Sequence, residues 1–195
     1  AHRLLSHSHA HVGRHVSKAP GLHASVPDRA QLPPGLHNLA DHESHARGLL
    51  DDATWAYFNG GAADEITLRA NVDAWRHLAL QPRALSDMAG AHTRIALLGR
   101  TWRHPIFVAP MAHQCLAHPQ GEQATTVAAA ALEAGMVLST QSSTPRETVA
   151  RLALADAHRG ALWFQLYLQH DRGFTHALVQ RAEAAGFEAL VVTVD

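Results

Sequence analysis

From His104 onwards, short apolar runs alternate with amphipathic stretches, and this alternation restricts the fold more than any other feature of the chain. Ile106-Phe107-Val108-Ala109, Met136-Val137-Leu138-Ser139-Thr140, Trp163-Phe164-Gln165-Leu166-Tyr167-Leu168 and Ala189-Leu190-Val191-Val192-Thr193-Val194 have strand length and strand composition. Between them lie an Ala-rich helical stretch over 120–134, ended by Gly135, and a helix over 173–185, ended by Gly186. A third helix starts after Thr144, with Pro145 at its first position and Glu147 completing a capping box. Strands that alternate with helices form a parallel sheet joined by right-handed crossovers, so the expected fold class is α/β.

The third run is the most informative. Side chains alternate faces along a strand. Phe164, Leu166 and Leu168 therefore share a wholly apolar face suited to packing under helices. Trp163, Gln165 and Tyr167 share the other face, which turns polar towards the C-terminal end, where parallel α/β folds place ligands. Two readings stay open here: Gln165 and Tyr167 satisfy one another, or they serve a polar ligand.

The N-terminal part is less regular. Prolines and glycines keep 1–36 from forming a long helix, and residues 1–35 read as a disordered, His-rich tail. Nine of the 17 histidines precede residue 50. His7, His9 and His11 could bind metal, but the tail reading is preferred. Residues 36–103 read as N-terminal helices over 41–58 and 64–77, followed by a small β element built from Leu78–Leu80 and Thr93–Leu98 with a turn at Gly99. The stripe Leu49, Leu50, Ala53, Ala56, Tyr57 supports the first helix, and Asn59-Gly60-Gly61 stops it.

Composition removes several function classes. With 47% hydrophobic and 17% charged residues the chain is globular, and a net charge of −1 gives no footprint for nucleic acid. No apolar run reaches the roughly 20 residues that span a bilayer. Cys115 is the sole cysteine, which suits a reducing, cytoplasmic setting; its apolar surroundings suggest a buried small hydrophobe rather than a nucleophile. The glycine fingerprint of dinucleotide-binding folds and the phosphate-loop lysine motif are both missing, and no His/Asp/Glu set has metal-ligand spacing.

The four strand units in 104–195 amount to half of a (β/α)8 TIM barrel, which needs eight strands and about 250 residues. Their C-terminal ends carry Pro110-Met111-Ala112-His113, Ser139-Thr140-Gln141, Gln165 with Tyr167, and Thr193 with Asp195. Converging on one mouth, these mostly neutral groups suit a flat, uncharged, hydrogen-bonding ligand.

An ordered set of motifs then identifies a family. Tyr57-Phe58-Asn59-Gly60-Gly61-Ala62-Ala63-Asp64-Glu65, Thr67-Leu68-Arg69, Pro82-Arg83, Ala109-Pro110-Met111-Ala112, His118-Pro119, Gly121-Glu122, Leu138-Ser139, Phe164-Gln165-Leu166-Tyr167, Ala185-Gly186-Phe187 and Thr193-Val194-Asp195 occur in sequence from about residue 36 to the end. Together they resemble the FMN-dependent L-2-hydroxy-acid oxidases and dehydrogenases, which include glycolate oxidase, lactate oxidase and flavocytochrome-type lactate dehydrogenase. The resemblance implies FMN across the mouth of a TIM barrel and oxidation of a small, lactate-like L-2-hydroxy acid to the 2-oxo acid. Oxygen or another acceptor would reoxidise the flavin. It implies that the backbone of Ala109, Pro110, Met111 and Ala112 lies against the flavin ring. Ser139, Gln165 and Thr193 would bond its polar edge, Tyr57 would meet the substrate carboxylate, and Tyr167 its hydroxyl. It further implies a homo-oligomer, a tetramer in many members.

This sequence departs from the family at Gln141, where several members carry an aromatic, and at Phe58, where a second tyrosine is common. Ala112 is small and leaves room for oxygen near the flavin, a hint of an oxidase. The family's catalytic His, its carboxylate-binding Arg and its phosphate-binding loops match nothing in these 195 residues. The expectation is therefore an enzyme whose N-terminal half is in hand and is inactive by itself. The alternative is a non-catalytic or split half-barrel that needs a partner chain to bind FMN.

Overall fold

The computed structural model describes residues 34–194. The tail with His7, His9 and His11, and the strand-terminal Asp195, lie outside the described residues. The elements run α1 (Leu39–Arg47), α2 (Asp52–Asn59), α3 (Ile66–Arg76), β1 (Ile95–Leu97), β2 (Arg100–Trp102), β3 (Phe107–Val108), a 3-10 turn (Gln114–Leu116), α4 (Gly121–Ala131), β4 (Gly135–Leu138), α5 (Arg146–Leu154), β5 (Leu162–Tyr167), α6 (Arg172–Ala185) and β6 (Ala189–Thr193).

The main sheet has the order β3-β4-β5-β6 with every pair parallel, as the strand–helix alternation requires. Register pairs Leu138 with Phe164, and Tyr167 with Thr193. One face carries Met136, Leu138, Leu162, Phe164 and Leu166, packed against Ala129 of α4, Val149 and Ala153 of α5, and Leu178 and Ala182 of α6. Phe164 is 1% exposed and meets the Phe187 ring at 5.6 Å, with the Arg146 guanidinium 4.9 Å from its ring centre on the other side. The opposite face begins with Phe107 and Trp163, whose rings lie 4.7 Å apart, and continues to Gln165.

Local chemistry explains the helix ends. Asn38 and Asp41 form a capping box on α1. Asp51 caps α2 through the Thr54 amide, and Asp171 accepts from the Gly173 and Phe174 amides at the start of α6. Gly186, at φ 96°, ends α6 in the left-handed region that favours glycine.

Several expectations are corrected. The single helix over 41–58 is two helices, broken at Gly48–Asp51, because Asp51 caps a new start; Leu49 falls in the break and is exposed. Leu78–Leu80 is no strand, and Leu80 is fully solvent-facing. The β element is instead a hairpin, β1 against β2, turning on Leu98 and Gly99, both at positive φ as a tight two-residue hairpin turn demands. Gly135 opens β4 rather than closing α4, and a Cβ there would collide with the Phe107 ring. The first strand is shorter than the apolar run because β3 lies at the sheet edge and pairs only with β4; Ile106 is exposed. Leu168 lies past the end of β5 and is exposed. The capping box at Thr144 and Glu147 does not form: Thr144 Oγ1 donates to Glu122 at 2.9 Å, and Glu147 pairs with Arg181 at 2.8 Å.

Phe164 fills the centre of this packing, so Phe164→Ala should lower stability by about 3–5 kcal/mol, the usual range for deleting a buried aromatic. Urea unfolding followed by circular dichroism checks this; a loss below ~1 kcal/mol would place the core elsewhere.

Candidate functional site

The C-terminal ends of β4, β5 and β6 carry a row of hydrogen-bonded neutral groups centred on Gln165, which is 2% exposed. Its Oε1 accepts from the Thr140 amide at 3.2 Å and from Ser139 Oγ at 3.3 Å, and its Nε2 donates to Thr193 Oγ1 at 2.8 Å. A backbone N–H can only donate, so the Thr140 contact fixes which end of the amide is oxygen. Ser139 Oγ also accepts from the Gln141 amide at 3.1 Å, and Thr140 Oγ1 donates to the Gln165 carbonyl at 2.6 Å. The Gln165–Tyr167 pairing left open in the sequence is not what satisfies the glutamine; neighbours on other strands do.

These contacts limit what the row can offer a ligand. Ser139 has spent its proton on Gln165 and keeps a lone pair. Gln165 keeps its second amide hydrogen, and Thr193 keeps its hydroxyl proton. Two donors and an acceptor from adjacent strands, about 4.8 Å apart, match the edge of a flat heterocycle carrying alternating carbonyl and N–H groups. The donor set therefore fits FMN.

The remaining predicted residues surround this row. Ala109 to Ala112 follow directly on β3; Ala109, Pro110 and Met111 are exposed and Ala112 is half-buried. The next residue, His113, sits at φ 54° and donates its amide to the Gln141 carbonyl at 3.1 Å. Its ring lies 6.0 Å from the ring of Tyr57 on α2. Tyr57 thus reaches the row through His113, Gln141 and Ser139, and its ring is 52% exposed. Tyr167 ends β5 half-buried, with its amide donating to Thr140 Oγ1 at 3.2 Å and its carbonyl accepting from Gln169. Ser139, Gln165 and Thr193 are brought into direct contact; Tyr167 is tied to the row through Thr140, whereas Tyr57 lies against Phe58 and His113 and contacts neither the row nor Tyr167 directly. Cys115 is exposed, not buried, because the 3-10 turn directs the neighbouring Gln114 inward. No group of three His, Cys, Asp or Glu side chains that could hold a metal occurs among the described residues.

Sequence reading gave Glu122 no role, and the structure gives it one. Its side chain is fully buried. Oε1 accepts from the Ser143 amide at 2.8 Å and the Gln114 amide at 3.3 Å, while Oε2 accepts from Thr144 Oγ1. One carboxylate therefore ties the loop after β3 to the loop after β4. Burial pushes its pKa up, but the hydrogen bonds from Ser143, Thr144 and Gln114 outweigh this and hold it below the ordinary value of 4.5. The signal in the sequence was a single acid in the first turn of an Ala-rich helix with no other charged residue.

Comparison with known proteins follows the same lines. Residues 46–195 match the FMN-dependent dehydrogenase family. An L-lactate oxidase of Roseobacter sp. (strain GAI101) is 49% identical over 157 residues, covering 80% of this chain and 41% of the relative. A peroxisomal (S)-2-hydroxy-acid oxidase of Oryza sativa subsp. indica is 44% identical over 158 residues, covering 81% of this chain and 42% of the relative. Among solved structures, a mandelate oxidase variant with an FMN adduct superposes with a TM-score of 0.73 at 37% identity, covering 79% of this chain and 45% of that one. The chain spans about two-fifths of the length of these curated relatives. The parallel sheet and its helices are part of a (β/α)8 barrel.

The depressed pKa of Glu122 sets a pH dependence. An acid whose folded pKa is lowered stabilises the fold fully above its ordinary value of 4.5 and loses that contribution as pH falls through the folded value. Relative to Glu122→Gln, the unchanged protein should therefore be more stable at neutral pH, and the gap should close below pH 4.5. Denaturant midpoints of both proteins across pH check this; a gap independent of pH would show that the charge of Glu122 contributes nothing.

Proposed function

The chain belongs to the FMN-dependent dehydrogenase family, and on that premise we propose that the complete protein oxidises a small, lactate-like L-2-hydroxy acid to the 2-oxo acid. FMN is the family's cofactor. The observation that supports this reading best is the row Ser139, Gln165, Thr193, which is locked by internal hydrogen bonds yet keeps outward donors and an acceptor. The oxidase relatives favour oxygen as the acceptor, and the small Ala112 beside the expected ring position agrees with that choice.

Conversion of the hydroxy acid to the oxo acid removes two protons and two electrons. Bound FMN supplies the electron acceptor, and oxygen as final acceptor leaves as hydrogen peroxide. In this proposal the residues of this chain bind and orient. Gln165 and Thr193 present N–H and O–H groups to the flavin edge, with Ser139 held as an acceptor. The backbone of Ala109, Pro110, Met111 and Ala112 forms a wall against the ring. Tyr57, half-exposed at the mouth, donates its phenol to the substrate carboxylate without adding a charge. Tyr167, fixed by the Thr140 and Gln169 contacts to its backbone, donates to the substrate hydroxyl as charge builds on that oxygen. None of these 195 residues takes the role of general base or of anchor for the FMN phosphate in this proposal, so we expect no turnover from them alone. The family resemblance supports a homotetramer, and the single cysteine suits a cytoplasmic setting.

The purified complete protein should be yellow, and L-lactate should bleach its flavin absorption in the absence of oxygen. A colourless protein, or a flavin that neither L-lactate nor L-mandelate bleaches, overturns the proposal. Tyr167→Phe should slow flavin reduction about 10- to 1,000-fold with a smaller change in substrate affinity, as expected for a donor that acts mainly in the transition state. Unchanged reduction would remove Tyr167 from the catalytic set.

A further inference from the structure

At the N-terminal ends of β4 and β5, away from the mouth, the β1–β2 hairpin borders a half-open polar cavity of about 490 Å³. By strand rise the start of β5, next to this cleft, lies roughly 10 Å from Gln165. Arg94, Arg100, Arg103 and Arg159 all line it. Two carboxylates face them. Glu133 pairs with Arg103 Nε at 2.8 Å. Glu188 Oε1 accepts from both Arg100 and Arg159, and its Oε2 accepts from the Leu162 amide. Among the described residues, four guanidiniums face two carboxylates here, an excess of two positive charges.

The excess is built into the fold. Arg159 is held with a side chain only 14% exposed, between Glu188 at 2.9 Å and the Gly160 carbonyl at 2.7 Å. Arg100 lies flat over the buried indole of Trp102, 4.7 Å from its centre. Burial would raise the pKa of Glu188, but hydrogen bonds from Arg159, Leu162 and Arg100 hold it below the ordinary value, so it stays ionised and anchors both arginines. Pinning the hairpin needs one arginine per carboxylate. The second guanidinium on Glu188 and the exposed Arg94, which makes no ion pair among the described residues, exceed that need. The unused N–H groups of these guanidinium forks match the paired oxygens of a phosphate.

We propose that this cavity binds a phosphate-bearing small anion, separately from the flavin and the hydroxy acid. Four guanidiniums line the cavity, more than one phosphate needs, so a pyrophosphate or a phosphate ester is the fitting class. His92 and His158 line the same cavity and can donate to the rest of such a ligand.

The test uses the complete protein saturated with FMN, titrated calorimetrically with inorganic pyrophosphate at constant ionic strength. Saturable binding is expected. Arg94→Ala should weaken it about tenfold, and Arg94→Ala with Arg103→Ala further, while flavin absorption and turnover with L-lactate stay unchanged. Arg94 is exposed and unpaired among the described residues, so its replacement leaves the fold intact and keeps the test decisive. Absence of saturable binding overturns the proposal. So does binding that neither substitution weakens, because the anion would then sit elsewhere, including the phosphate site of the flavin.

Discussion

A primary amide buried to 2% exposure is costly unless both of its ends are paired, and Gln165 imposes that condition on the whole sheet. Its oxygen needs donors from β4 and the following loop; its nitrogen needs an acceptor from β6. Ser139, Thr140 and Thr193 meet the need only if the three strands are parallel, adjacent and in the observed register. A slip of one residue on β6 would turn Thr193 to the helix side and bring an apolar side chain to the amide. The contact that specifies the register thus also specifies the groups turned towards a ligand.

Glu122 does the equivalent for the loops that surround the sheet. The loops after β3 and β4 leave the amides of Gln114 and Ser143 without secondary-structure partners, and a single carboxylate collects both together with Thr144. This holds His113 next to Gln141 and thereby the Tyr57 ring near the mouth. Helix α2 is distant in sequence from the sheet, so the placement of Tyr57 rests on loop geometry that a helix–sheet packing rule does not supply.

Much of this was legible in the sequence, and the boundary has physical causes. The strands of the sheet followed from short apolar runs between helical stretches, and the polar end of β5 from the alternation of faces along one run; both signals are local. Gln165, Ser139 and Thr193 were found as strand-end polar residues, but their partners depend on inter-strand register, which no single segment reveals. The capping box at Thr144 was misread because a short-range motif competed with a long-range acceptor, and the buried Glu122 won. The helix over 41–58 was misread because Asp51 supports either a continued helix or a fresh cap, and only the break at Gly48 decides. The motifs at Tyr57 and at Ala109 to Ala112 identified the family without showing how α2 reaches the barrel.

The two ends of the sheet differ in electrostatic character, and the difference agrees with the proposed flavin edge. The row at the C-terminal end consists of hydroxyls and amides, with the Glu122 carboxylate turned to the surrounding loops, whereas guanidiniums and carboxylates crowd the N-terminal end. A flavin edge gains from oriented neutral dipoles, because a fixed full charge beside it would shift the ring's electron demand far more than a hydrogen bond does. Moving charge away from that edge requires that the structural ion pairs of the fold sit elsewhere. The N-terminal end gives them a place: Arg100 and Arg159 meet Glu188 where β5 and β6 begin, so these strands gain a charged anchor at one end while the row at Gln165 at the other end is made of hydroxyls and an amide.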